Sequence, residues 1–212
     1  CLKEVALQEA PKTDDSEFSW EGLQLTLVVG LCLLVTTICS VDRAAMSVAI
    51  LPMSVEFGYS DTTKGLVGSS YFWGYVFSNV VSGVLCTVVE PWIVITVGAF
   101  LWSAFTLLTP PAAYMSLPAL LACRALMGIS EGVCLPSIQA LVALWVPPEE
   151  KSRTLALVTS GVTVGTVTSL YLAPVLVARF GWPNMFEAFG AIGFVWCLAW
   201  WAVARDAPPE RR

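Results

Sequence analysis

Six stretches of this sequence stay apolar for the length of a membrane crossing, and this property most narrows what the chain can become. A helix needs about 20 predominantly apolar residues to cross the hydrocarbon core of a bilayer. Candidate spans lie at about residues 23–52, 65–89, 92–108, 117–145, 155–178 and 185–203. Strands of a transmembrane barrel would be about 10 residues long and strictly alternating, which these runs are not. A helix, which satisfies its own backbone hydrogen bonds, is the spanning form that remains. Charged residues make up only 13% of the chain, about half the share in a soluble domain, so lipid must be one of its solvents. The expectation is an all-α membrane protein of six transmembrane helices.

The rest of the chain is short and polar. Residues 1–20 form an acidic N-terminal tail, 21–205 a transmembrane bundle, and 206–212 a C-terminal tail or the start of a central loop. The connections are brief: "EFGYSDTTK", Glu90-Pro91, "TPPAAYMS", "VPPEEKSR" and "RFGWPN". Six spans put both termini on one side. That side holds Lys3, Lys12, Lys151, Arg153, Arg205, Arg211 and Arg212, and the other holds Lys64 and Arg179, which orients both termini toward the cytoplasm or its equivalent. The chain begins with Cys1 rather than Met, and is read as a fragment or a processed product.

Within the apolar runs, Arg43, Arg124 and Glu131 stand out. A charge at mid-bilayer costs about 2.5–3.5 kcal/mol on insertion scales, so these side chains should face protein or water. Seven residues turn a helix by about 700° and advance it by about 10.5 Å. Arg124 and Glu131 therefore share a face, but stand too far apart for a routine ion pair. Gly128 lies between them, where a solute or another helix could approach closely. A helix-to-helix ion pair is one reading of the charges; a polar pathway for a charged solute is the other. Arginine holds a carboxylate or phosphate through two parallel hydrogen bonds, and a carboxyl held away from water can exchange a proton at accessible pH. Asp42 either neutralises Arg43 locally or lies near the membrane interface. "RAAMSVAILP" from Arg43 and "RALMGISEGVCLP" from Arg124 form a faint repeat, placed on the first and fourth spans as a 3+3 inverted repeat would require.

Other classes find little support. The chain has no His, the commonest general base and metal ligand. No basic tract points to nucleic acid, no nucleophile stands with a base, and six of the seven cysteines lie in apolar runs, with no C-x-x-C pair. An enzyme is not expected.

Several segments in register resemble the anion:cation symporter family of the major facilitator superfamily: "DRAAMSVAILPMS", "GLVGSSYFWGYV", "RALMGISEGVCLP", "WVPPEEKSRTLALVTSG" and "RFGWPNMFEAFGAIG". That family includes plastid phosphate and ascorbate transporters and vesicular glutamate and sialic-acid transporters, and "AILPMS" is closer to the plastid members. The resemblance implies the N-terminal half of a major facilitator fold, with Arg43 and Arg124 at the anion site and Glu131 as the coupling residue. It raises Tyr75, in an aromatic run from Tyr71 that either packs or lines a pathway, as a further substrate-binding candidate; Asn79 on the same helix could bond across helices or to solute. The chain also departs from the family. The charged, glycine-rich loop usual between helices 2 and 3 is replaced by "SGVLCTVVEPWIV", and Gly68 stands where vesicular members have a histidine. The family has twelve spans, of which six are present here.

The expectation is a secondary active transporter, in whole or part, moving an inorganic or organic anion such as phosphate by alternating access. No cofactor is implied beyond Na+ or H+ as the transported coupling ion. The partners would be a small anionic solute, the lipid bilayer, and a missing C-terminal half or a second copy; the location would be a plastid or other organelle membrane. The alternative is a non-transporting six-helix interaction subunit or a decayed half-transporter.

Overall fold

A computed structural model describes residues 20–204, with side chains from residue 24; the two polar tails, apart from residue 20, lie outside the described residues. These residues form helices α1 (Trp20–Phe57), α2 (Asp61–Val88), α3 (Pro91–Met115), α4 (Leu117–Gly132), α5 (Cys134–Trp145), α6 (Lys151–Phe180) and α7 (Trp182–Val203). With α4 and α5 taken as one broken span, six helical segments are long and apolar enough to cross a membrane.

Local chemistry sets the boundaries. Gly58, at φ 68°, ends α1 in the left-handed conformation that glycine adopts without penalty. The Ser60 side chain accepts from the Thr63 backbone N–H to cap α2. Ser116 caps α4 in the same way, accepting from Ala119. Pro91, Pro118 and Pro183 sit in the first turns of their helices, where a missing N–H costs nothing.

Two boundaries differ from the sequence reading. The third span does not stop at Leu108: Pro110 and Pro111 lie inside α3, which continues to Met115, so most of the expected loop is helical and the chain turns at Ser116. Inside a membrane bundle, neighbouring groups can take over the backbone partners that a proline removes, and Pro110 is itself buried. The fourth span is not one helix either, since it breaks at Val133. Pro136 has no N–H to donate to the Gly132 carbonyl. The Asn79 side chain, reaching across from α2, donates to that carbonyl instead.

The packing follows an inverted repeat. α1 pairs chiefly with α6, and α2 chiefly with α4. If α1–α3 form one unit and α4–α7 the other, these two pairings exchange under the pseudo-symmetry. Glycines bring both pairs close. A methyl at Gly128 would overlap the Tyr71 carbonyl, and one at Gly74 the Ala125 carbonyl. On the other pair, a methyl at Gly165 would overlap the Thr37 carbonyl and one at Gly161 the Thr36 hydroxyl. This is the close backbone approach that small residues at four-residue spacing permit between membrane helices.

The core divides into two clusters. One, toward the termini, gathers Val28, Trp102, Trp196 and Trp200; the other, toward the opposite end, gathers Met53, Ala113, Leu120 and Trp182. On α1, Asp42 and Arg43 lie between Cys39 of the first cluster and Ala45 of the second; on α4, Arg124 lies between Leu120 and Met127 in the same way. The charges thus occupy the seam between two apolar layers. At the end away from the termini, Glu56 accepts hydrogen bonds from Trp182 Nε1 (2.8 Å) and Tyr114 Oη (3.0 Å), tying α1, α7 and α3 together.

Candidate functional site

Arg43 and Arg124 reach Tyr71 from two different helices, and it is the tight α2–α4 contact at Gly128 that lets them. Arg43 Nε donates to Tyr71 Oη at 3.1 Å, and its Nη2 donates to Glu131 Oε1 at 2.6 Å. Its guanidinium carbon lies 4.9 Å from the Tyr75 ring centre and 5.6 Å from that of Tyr71, within cation–π reach of both. Arg124, from α4, also lies over the Tyr71 ring, 5.2 Å from its centre. It is fully buried, but its Nη1 meets only the Met127 sulfur at 3.1 Å, and its Nε has no partner.

Glu131 therefore has a partner within the chain. Of the two readings of these charges, the helix-to-helix ion pair describes Arg43 and Glu131. It spans α1 and α4, with Glu131 buried and the Arg43 side chain 29% exposed. Among the described residues, the second carboxylate oxygen of Glu131 has no hydrogen-bond partner. Gly128 is filled by a helix rather than by solute.

Asp42 fits neither local option. It is fully buried, part-way along α1 in the seam between the two apolar clusters, and makes no ion pair with its neighbour Arg43. It faces Trp102, Thr106 and Arg124, and neither of its oxygens completes a hydrogen bond. Two acids thus flank two arginines in crossed fashion. Glu131 of the second repeat serves Arg43 of the first, while Asp42 of the first stands within electrostatic reach of Arg124 of the second.

Both arginines open onto a cavity of about 490 Å³ between α1, α2 and α6. Its wall includes the hydroxyls of Ser40, Ser47 and Thr166, the Tyr71 ring, Gly68 and Lys64, and it contains no carboxylate. The sequence candidates divide around it. Arg43 and Arg124 line it; Tyr75 and Glu131 stand behind Arg43 in a much smaller cleft with Cys39 and Cys134; Asn79 braces the helix break. Sequence reasoning missed Lys64 as a cavity residue and left Tyr71 between packing and pathway; both line the cavity. Both lie on one face of α2, seven residues apart, a spacing that was available to find them.

An all-helical membrane bundle of two inverted three-helix units, with paired arginines at a central cavity, has the architecture of one six-helix half of a secondary carrier. Comparison with known proteins agrees. The family model of the Major Facilitator Superfamily matches residues 32–212, and the chain belongs to that superfamily. It is 47% identical over 183 residues to a probable anion transporter 4, chloroplastic, of Oryza sativa subsp. japonica, covering 86% of this chain and 31% of that protein. It is 44% identical over 184 residues to sodium-dependent phosphate transport protein 1, chloroplastic, of Arabidopsis thaliana, covering 87% and 36%. The chloroplastic ascorbate transporter of the same plant is 42% identical over 184 residues, covering 87% and 34%. The chain thus spans about a third of the length of these relatives. Among solved structures, a bacterial homolog of the human lysosomal transporter Spinster, in an inward-facing and unoccupied conformation, shares the fold at 22% identity. Its TM-score is 0.77, over 89% of this chain and 44% of that one.

Proposed function

We propose that the whole protein is a secondary transporter of a plastid membrane that carries a small oxyanion, of the kind represented by phosphate and ascorbate, together with Na+ or H+. The observation that carries this reading is the cavity wall, which has two arginines and no carboxylate. A buried guanidinium whose hydrogen bonds are unfilled, as in Arg124, is a strong attractor for an oxyanion able to accept two parallel bonds. The chloroplastic relatives named for anion, phosphate and ascorbate transport support the substrate class and the location.

Arg43 and its acid supply the coupling. An incoming anion competes with Glu131 for Arg43. A cation that neutralises Glu131 releases Arg43 to the anion, so each ligand favours the binding of the other by the same factor. Asp42 is a second carboxyl with an unmet charge. Burying a carboxylate without partners is costly, and a bound cation removes the cost. Alternating access would then follow from exchange of partners around Tyr71, completed by the remainder of the protein.

The test is gradient-driven uptake of labelled phosphate or ascorbate by the full-length protein in proteoliposomes. Arg124→Ala should abolish uptake. Glu131→Gln should abolish gradient-driven accumulation and spare anion exchange. If both variants transported like the natural protein, the assigned roles would fall.

A further inference from the structure

The cavity reaches one more cation that the proposed mechanism does not use. Lys64, in the first turn of α2, lines the same wall as Arg43 and Arg124, at the end of the bundle away from the termini. We propose that Lys64 is an outer anion station, which meets an oxyanion at the cavity mouth and passes it to Arg124 deeper in the membrane. The inference rests on the reading of the cavity as an anion path, and adds to it a specificity-determining residue that the arginine pair does not imply.

Three features carry it. The first is alignment. Lys64 and Tyr71 are seven residues apart on α2, so they share a face, separated by about 10.5 Å along the axis. Tyr71 is the residue both arginines touch, so the Lys64 ammonium and the arginine pair stand at the two ends of one helical track. The second is clearance. Gly68 lies midway on that track, and a methyl built there would meet nothing within 4 Å. This glycine is therefore not spent on helix contact, unlike Gly74, Gly128 and Gly132, whose added methyls would strike the neighbouring helix. It leaves the passage between the stations open. The third is the tie that holds Lys64 at rest. Its ammonium sits 2.7 Å from Asp61 Oδ1, one turn away, and the Asp61 side chain is 98% exposed. An exposed pair of this kind is weak and salt-screened, so an anion arriving at the mouth can displace Asp61 without leaving a buried charge unpaired. At the inner end the opposite holds: Arg124 is buried and poorly satisfied, so the anion gains more from the second station than from the first.

The test uses the full-length protein in proteoliposomes with labelled inorganic phosphate and labelled ascorbate as probes, and Arg124→Ala as the reference for the anion path itself. Lys64→Gln should raise KM about tenfold, the loss of one near-contact charge interaction in partly hydrated surroundings, and leave kcat unchanged. It should also flatten the dependence of uptake on ionic strength, because an outer charge acts on encounter. Lys64→Arg should restore KM. Asp61→Asn, which frees the ammonium, should lower KM. A Lys64→Gln variant with unaltered KM and unaltered salt dependence overturns the outer station while leaving the arginine site standing. So does one whose only change is a lower kcat. If Lys64→Gln does not assemble, an unaltered KM in Asp61→Asn overturns it in the same way. If neither probe is transported by the natural protein, the anion path falls, and the outer station with it.

Discussion

Arg43 and Arg124 are the same residue at corresponding places of an inverted repeat, yet they stand in opposite conditions. Arg43 is partly exposed, lines the cavity, and is held by a carboxylate, a phenol and an aromatic face. Arg124 is buried at the wall of the same cavity, with a thioether for a hydrogen-bond partner. The repeat explains the asymmetry. Seven residues after Arg124 comes Glu131, but seven residues after Arg43 comes Ile50; one residue before Arg43 comes Asp42, but one before Arg124 comes Cys123. Each copy has kept a different acid; the crossing of the helices pairs Glu131 with Arg43, while Asp42 stands within electrostatic reach of Arg124 without bonding to it. One arginine is therefore engaged and the other waiting, a division that a strictly symmetrical pair could not provide.

The largest effect should come from removing the waiting partner. Arg124→Ala should reduce anion uptake by about 100-fold or more, the order expected when a buried charge partner is lost. Arg124→Lys should recover little of it, because an ammonium cannot offer the planar fork. Next, Gly128→Ala should force α2 off α4 and pull Tyr71 away from Arg124. The expected cost is about 3 kcal/mol, the upper range for overpacking a tight contact, read as a lowered melting temperature in detergent. Glu131→Gln should cost about 2 kcal/mol in the same assay, less than the ~3–5 of a fully buried pair, because Arg43 keeps access to water. If it costs nothing, Arg43 is no more engaged than Arg124 and the contrast between them dissolves. The smallest effect belongs to Tyr71→Phe. It removes the acceptor for Arg43 Nε but keeps the ring, and should cost about 1 kcal/mol with transport reduced only a few-fold.

The six spans were legible in the sequence because hydropathy over about 20 residues responds to one dominant force, the exclusion of polar backbone from lipid. Leu108 as the end of the third span was not a sound boundary, because Pro110-Pro111 reads as a stop in water, whereas in the bundle α3 continues past it. The break at Val133 was hidden because apolar character runs through it unbroken, while the cause, Pro136, acts on the Gly132 carbonyl four residues earlier. Arg43, Arg124 and Glu131 were found singly, from the cost of burying them. Their partners were not, since the Arg43–Glu131 bond joins residues 88 apart and depends on how α1 crosses α4. Asn79 reads equally from sequence as a cross-helix bond or a solute ligand, and it makes the cross-helix bond, to the Gly132 carbonyl. Lys64 looked like a loop charge, because its place on the cavity wall depends on how α1 and α6 pack beside it.

The pairing of α1 with α6 and of α2 with α4 bears on how the protein is made. Each close pair takes one helix from each unit, while α1 and α2, or α2 and α3, touch one another sparsely. When the first three spans have entered the membrane, the faces that will receive Gly128, Gly161 and Gly165 are still bare, and Asp42 and Arg43 have met neither Arg124 nor Glu131. The half-inserted chain therefore has no stable tertiary structure of its own to rest in. It waits for α4 to close against α2 and α3 and for α6 to close against α1, so the bundle is assembled across its two units rather than within the first.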